Sequence, residues 1–315
     1  MPVPSSPKPV MSAADWGVLL VTSVVWGASF FFIRVAIADL PTLTIVASRV
    51  ALAALILHVV LRLTGRRFPT DRPTLAAFLV MGLLNNVIPF TLIVWGETRV
   101  GAGLAAILNA MTPLTTAVIA QFLTPDERLN PGKVAGILTG LVGVAVMVGP
   151  AAFSGVSADF IAQLACLAAT VSYGFAGIYG RRFGRMRLDP IVTATGQLTG
   201  STVVLVPITL LVDRPWDLAA PGLASVGAVI GIAVLSTAFA YILFFRLLAS
   251  AGATNAALIT LLVPVSAIFL GVLVLGEHLE PRQILGMAMI AGGLVLIDGR
   301  LPRRLINGIA ALNSR

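Results

Sequence analysis

Long apolar runs, broken by short polar connections, repeat along the whole chain. A run of about 20 apolar residues is what a helix needs to cross a hydrocarbon core. Ten such runs are read: 15–36, 42–62, 75–96, 101–123, 132–149, 159–180, 190–212, 222–247, 253–275 and 283–298. No connection is long enough for a soluble domain. The pattern predicts an all-α integral membrane protein with ten transmembrane helices. Residues 1–14, "MPVPSSPKPVMSAA", are Pro/Ser-rich and read as a mobile tail, and 299–315 as a second tail. A cleaved leader is the competing reading of span 1. A later counterpart of that span speaks against it.

That counterpart belongs to an internal repeat. "ERLNPGKVAGILTGLVGVAVMVG" (127–149) matches "EHLEPRQILGMAMIAGGLVLI" (277–297) at an offset of 150. Glu127 meets Glu277, Pro131 meets Pro281, Gly136 meets Gly286 and Gly143 meets Gly293. Pro113 meets Pro264, Pro41 meets Pro190, and Trp26-Gly27 faces Tyr173-Gly174. Each repeat holds five spans, an odd number, so the second copy enters the membrane from the other side. The predicted division is 15–149 and 150–298. Two inverted halves are a transporter plan with the substrate near the midplane between them.

Composition supports the membrane reading. Hydrophobic residues make up 58% of the chain and charged ones 11%, with a mean hydropathy of +0.99. Soluble domains carry about 25% charged residues. The net charge of +8 invites a nucleic-acid reading, but basic residues also gather in cytoplasmic loops of membrane proteins. With both termini in the cytoplasm, sixteen Lys/Arg fall inside, against Arg34, Arg99, Arg214 and Arg282 outside. That asymmetry predicts cytoplasmic termini and argues against nucleic acid. One cysteine, Cys166, excludes an internal disulfide, and two histidines make a metal site or other cofactor improbable.

The segments "WGASFFFIRVA", "ASRVALAAL", "NAMTPLTTAVIAQFLTPDERLNPGKVAGILTGLVGVAVMV" and "ITLLVPVSAIFLGVLVLGEHLEPRQILGMAMIAGGLVLI" resemble the EamA-type family of the drug/metabolite transporter superfamily. The resemblance spans nearly the whole chain, and "GEHLEPRQILG" is its most specific part. The first copy departs from it, with "TPDERL" where a Gly usually precedes the Glu. The resemblance implies two inverted five-helix bundles around a central cavity lined by spans 1–4 and 6–9, braced by spans 5 and 10. It also implies alternating access and export of amino acids or other small metabolites across a bacterial inner membrane. A drug or uptake carrier of the same fold is the alternative, and a lipid-modifying enzyme a remote one, since no nucleophile–base or metal constellation is in sight. The expected partners are a small-molecule substrate and the bilayer; a monomer suffices.

Candidate residues emerge from polarity inside the spans. All thirteen acidic residues lie at span ends or in loops, which argues against a carrier of cationic drugs. Glu97, at the end of span 3, remains an edge proton site. Asn85 and Asn86 lie half way along span 3 and need partners or a wet cavity. Span 4 carries Asn109, Thr112 and Thr116 on one face. Thr237 and Tyr241 share a face of span 8, beside Ser236, and Thr260 lies on span 9. Each is read either as interhelical glue or as cavity lining; their common depth favours a cavity. Trp26, Phe90, Tyr173 and Tyr241 would wall it, whereas Trp95 suits an interfacial belt. Pro89, Pro113 and Pro264 are read as kink or gating positions. Glu127 and Glu277 are read as structural, each bracing the start of the helix after it. Gly132, Gly136 and Gly140 read as a close-packing ladder.

Arg49, in "TIVASRVALAAL", is the sole cation well inside a span. Gln197 lies within one residue of its repeat position. An arginine's fork of donors suits a carboxylate. Arg49 is about eight residues into span 2, or ~12 Å. From there it could snorkel outward, which would place it on the outer wall of a deeper, neutral cavity. Tying helix-end carbonyls or pairing with Glu97 is the structural alternative.

Overall fold

The computed structural model describes residues 11–124, 131–148, 157–256 and 258–298. Glu127, residue 149 of the fifth run, most of the first tail and all of the second lie outside the described residues. Within them the regular structure is entirely helical. Seven helices are long and apolar enough to cross a membrane: α1 (Ala13–Ala36), α2 (Thr42–Leu63), α3 (Arg72–Glu97), α4 (Ala102–Leu123), α6 (Ala158–Arg185), α7 (Pro190–Val212) and α8 (Leu223–Ala251). Among the described residues three shorter apolar helices accompany them: α5 (Pro131–Val148), α9 (Ile259–Leu275) and α10 (Pro281–Asp298).

The helix starts obey local chemistry. Ser12 and Asp15 form a reciprocal capping box on α1, each side chain accepting the other's backbone N–H. Asp71, Ser157 and Asp189 cap α3, α6 and α7. Pro131, Pro190 and Pro281 open α5, α7 and α10, where a missing N–H costs nothing.

Bonds between helices give their directions. Thr44 meets Asp213, His58 meets Thr199 and Arg66 meets Asp189, so α2 and α7 run antiparallel. Asp15 meets Ser250 and Asp39 meets Ser225, so α1 and α8 do likewise. Arg34 at the end of α1 reaches Glu97 at the end of α3, so these two run together. Met81 lies near Gly180, Leu84 meets Ser172 and Gly96 packs on Cys166, so α6 opposes α3. The second half therefore starts in the opposite direction to the first. The two ends of the bundle are called here the termini end, where α1 starts, and the far end, where α3 finishes.

Helices α5 and α10 pack along each other through glycines. A Cβ on Gly143 would lie 2.8 Å from the Gly286 carbonyl, and one on Gly293 2.5 Å from the Gly136 carbonyl. This corrects the expected ladder. Gly132 is exposed and drops out, while Gly140 packs against Leu114 of α4 and its backbone N lies 3.1 Å from the Cβ position of Gly293, so the seam uses Gly136, Gly140, Gly143, Gly286 and Gly293. Close backbone approach of this kind holds helices together in lipid, where the hydrophobic effect gives little.

The regular pattern breaks in two kinds of place. Short π-helical stretches interrupt α3 at Leu83–Val87 and α8 at Val234–Phe239. Leu83 and Val234, which open them, are 151 positions apart, so the two interruptions obey the repeat. Helix α4 is broken rather than kinked, between Ala102–Asn109 and Thr112–Leu123. Pro113 is the second residue of the new segment, which corrects the expected mid-helix kink. Pro89 is likewise the second residue after the π stretch of α3, while Pro264 lies inside α9.

Candidate functional site

The two π stretches carry Asn85 and Asn86 of α3 and Ser236 and Thr237 of α8. An extra residue per turn rotates the downstream part of the helix and leaves carbonyls without their usual donors. A neighbouring helix supplies one such donor: Ser172 of α6 donates to the Leu84 carbonyl at 2.7 Å. Thr237 donates to the Ile232 carbonyl, five residues back, at 2.8 Å. Ser236 donates across to the Val25 carbonyl of α1 at 2.6 Å.

The polar side chains of these stretches then pair between halves. Asn85 donates to Gln197 of α7 at 3.1 Å and to the Tyr241 hydroxyl of α8 at 3.2 Å. That hydroxyl donates to Asn86 Oδ1 at 3.1 Å, and Asn86 Nδ2 donates to Ser201 at 3.0 Å. On the other side, Arg49 Nε of α2 donates to the Thr237 hydroxyl of α8 at 2.9 Å. Arg49 is the eighth residue of α2 and Gln197 the eighth of α7. The two helices are antiparallel, so these side chains approach the centre from opposite ends.

Arg49 does not snorkel. It is 6% exposed, and its guanidinium carbon stands 3.7 Å from the centroid of the Phe90 ring. Cation–π contact at a desolvated site contributes about 2 kcal/mol. Among the described residues Arg49 forms no ion pair, and this corrects both the outer-wall placement and the alternative of a Glu97 pair. Its length and the flat face of Phe90 explain the difference: the side chain finds a polar partner inward without leaving the bundle.

The central polar residues are closed on one another. Asn86, Gln197, Ser201, Ser236 and Thr237 are buried, each hydrogen-bonded to another helix or to its own backbone. This corrects the picture of an open central cavity: an arrangement in which both ends are shut lets the network satisfy itself. A crevice too narrow to hold a water molecule lies beside Tyr241, lined also by Leu57, Ile191, Ala194, Ile242 and Phe245. It lies toward the termini end, where α2 finishes and α7 starts.

The structure does not gather every expected residue here. Thr112 donates to the Asn109 carbonyl and Thr116 to the Thr112 carbonyl, so both are back-bonded on their own helix. Asn109 Oδ1 is buried without a partner at the break in α4. Thr260 is half-buried on α9. Trp26 packs on Phe244 at 5.2 Å between ring centroids, whereas Tyr173 does reach the site, close enough to Arg49 and Tyr241 to interact electrostatically with both. Trp95 is 41% exposed, as a belt residue would be.

Glu277 is structural, but not for the helix directly after it. Its carboxylate oxygens accept the N–H groups of Ala102 at 2.7 Å and Gly103 at 3.0 Å, capping α4 of the other half. Gly271 and Gly101 leave it room, since a Cβ on either would come within 2.7 or 2.9 Å of the carboxyl group. Sequence reasoning missed three partners: Ser172, Ser201 and the Thr44–Asp213 contact. Ser201 was recoverable, because it lies four residues after Gln197 and shares its face.

A family model described as "EamA-like transporter family" matches residues 16–149 and again 160–298. The chain belongs to the EamA-like transporter family. It is 24% identical to YoaV of Bacillus subtilis, named only as an uncharacterized transporter, over 92% of this chain and 98% of that one. It is 27% identical to YedA of Escherichia coli, named an inner membrane transporter, over 90% of each chain. PecM of Dickeya dadantii is 24% identical over 87% of this chain and 89% of its own. A solved crystal structure shares the fold, with a TM-score of 0.67 at 19% identity, over 94% of this chain and 99% of that one. The EamA-like chain is thus a small-molecule transporter of the membrane, and the double match coincides with its two inverted halves.

Proposed function

We propose that this EamA-like protein is a secondary transporter that exports small metabolites, amino acids or close relatives, across the bacterial inner membrane by alternating access. Both termini are cytoplasmic, so the far end faces outward. The observation that carries this reading is Arg49: a buried cation with no anionic partner among the described residues. A lone charge in such a place is costly and calls for a counter-charge. A cargo carboxylate supplies it, and the guanidinium fork suits it geometrically. The neutral Asn85–Gln197–Tyr241 side of the network then receives the rest of the cargo. Binding replaces bonds within the network by bonds to cargo, which frees the two halves to rock.

The test is an export screen of metabolites in cells with and without overexpression, at two external pH values. Overexpression should raise extracellular amino acids, and Arg49→Ala, at unchanged expression and thermal stability, should abolish the rise. Export undiminished by Arg49→Ala overturns the assignment of the anion site. Net accumulation inside the cells instead would support an uptake carrier of the same fold.

A further inference from the structure

Glu97 ends α3 at the far end of the bundle. Its side chain is fully buried, and neither carboxyl oxygen has a hydrogen-bond partner. The contrast with Glu277 is direct, since both oxygens of that carboxylate are satisfied by backbone N–H groups. Arg34 comes close, but its guanidinium donates at 2.8 Å to the backbone carbonyl of Glu97, not to the side chain. A carboxylate without water and without donors is among the costliest groups to bury, and it escapes that cost by taking a proton.

The surroundings do not offer another escape. Arg34 of α1 and Arg49 of α2 attract a negative charge at this point, while Glu277 in the loop after α9 repels it. From α6 comes the Cys166 thiol, packed against Gly96. Helix α4 and the rest of Ile88–Glu97 bring no titratable side chain. Gln163 of α6, three residues before Cys166, also has its side-chain oxygen buried and unpartnered. The region therefore holds acceptors in excess of donors, and a proton on Glu97 would supply a donor.

We infer that Glu97 is a proton-binding site that takes up one proton from far-side water as that end of the bundle closes, and returns it when the end opens. The opening itself rests on the alternating-access reading above. In the closed arrangement the acid is neutral and can be buried; in the open one water reaches it and it ionises. Acid on the far side thus favours closure, and Glu97→Gln, a permanent neutral mimic, holds the end shut.

Two measurements on protein reconstituted in liposomes test this. Infrared spectra at neutral pH should show the carbonyl stretch of a protonated carboxylic acid, lost in Glu97→Gln and kept in Glu277→Gln. A Thr44→Cys probe at the far end, in a Cys166→Ala background, should react with an impermeant thiol reagent severalfold faster as far-side pH rises, after normalisation to the unfolded chain. With Glu97→Gln the rate should stay low and flat. A wild-type protein lacking the band, a band retained in Glu97→Gln, or probe reactivity that ignores pH or ignores the substitution each overturns the proposal. Efflux of a preloaded neutral amino-acid mixture, measured on the same liposomes, separates the two readings. Efflux with a silent Glu97 leaves the transporter standing without the proton site; a pH-responsive Glu97 without efflux leaves the proton site standing without that cargo.

Discussion

At the scale of single residues, the Arg49–Thr237 bond organises one side of the central network, and Asn85 with Gln197 organises the other. Hydrogen bonds to charged groups contribute about 1.5–3 kcal/mol. Thr237→Val should therefore destabilise the protein by about that amount in a denaturant or thermal titration, while Thr112→Val, whose bond stays on its own helix, should cost less. At the far end, the Asp39 carboxylate accepts from the Ser225 hydroxyl at 2.7 Å and the Gly222 N–H at 2.9 Å, which holds its pKa below the ordinary carboxylate value. A group depressed in the folded state adds stability above its unfolded value, near 3.9, and loses it as pH falls through the folded value. The melting-temperature gap between wild type and Asp39→Asn should thus be present at neutral pH and vanish in acid. A gap that persists in acid would mean that the carboxylate charge has no part in it. The sequence made Arg49 conspicuous because it was a charge in an apolar run. Its inward direction was not legible, because the partner, Thr237, lies 188 positions away.

At the scale of elements, periodicity located the helices and the repeat paired them, but the irregularities were hidden. Nothing in "LLNNV" or "VLSTAF" announces a π stretch, since carbonyls there are met by side chains that periodicity does not reveal, Ser172 of another helix for Leu84 and Thr237 of the stretch itself for Ile232. The break in α4 was half legible: Pro113 marked the place, but a proline in the first turn of a new helix and one that kinks an old helix look the same in sequence. The α5–α10 seam offers a matched pair of substitutions. Gly293→Ala forces a Cβ to within 2.5 Å of the Gly136 carbonyl, whereas a Cβ on its neighbour Gly292 meets nothing within 4 Å. Gly293→Ala should destabilise by about 1–3 kcal/mol, and Gly292→Ala should be neutral or slightly stabilising. Equal melting temperatures for the two variants would remove this seam from the account.

At the scale of the whole molecule, two inverted halves meet along α2 with α7 and α1 with α8, and each contact line is fastened at both ends. Thr44–Asp213 and Asp39–Ser225 hold the far end; Arg66–Asp189 and Asp15–Ser250 hold the termini end. With both sets made, the polar centre is shut, and a transporter must break one set at a time. The inversion was legible from an odd number of spans per repeat. The shut centre was not, because a sequence lists polar groups without saying whether they face water or each other. The most direct test is single cysteines at Thr44, for the far end, and Ile191, for the termini end, in a Cys166→Ala background, labelled with an impermeant thiol reagent while the inward pH or the amino-acid load is varied. The account predicts that reactivity at one position rises as the other falls. Reactivity that rises and falls together at both positions would describe a pore, and would contradict it.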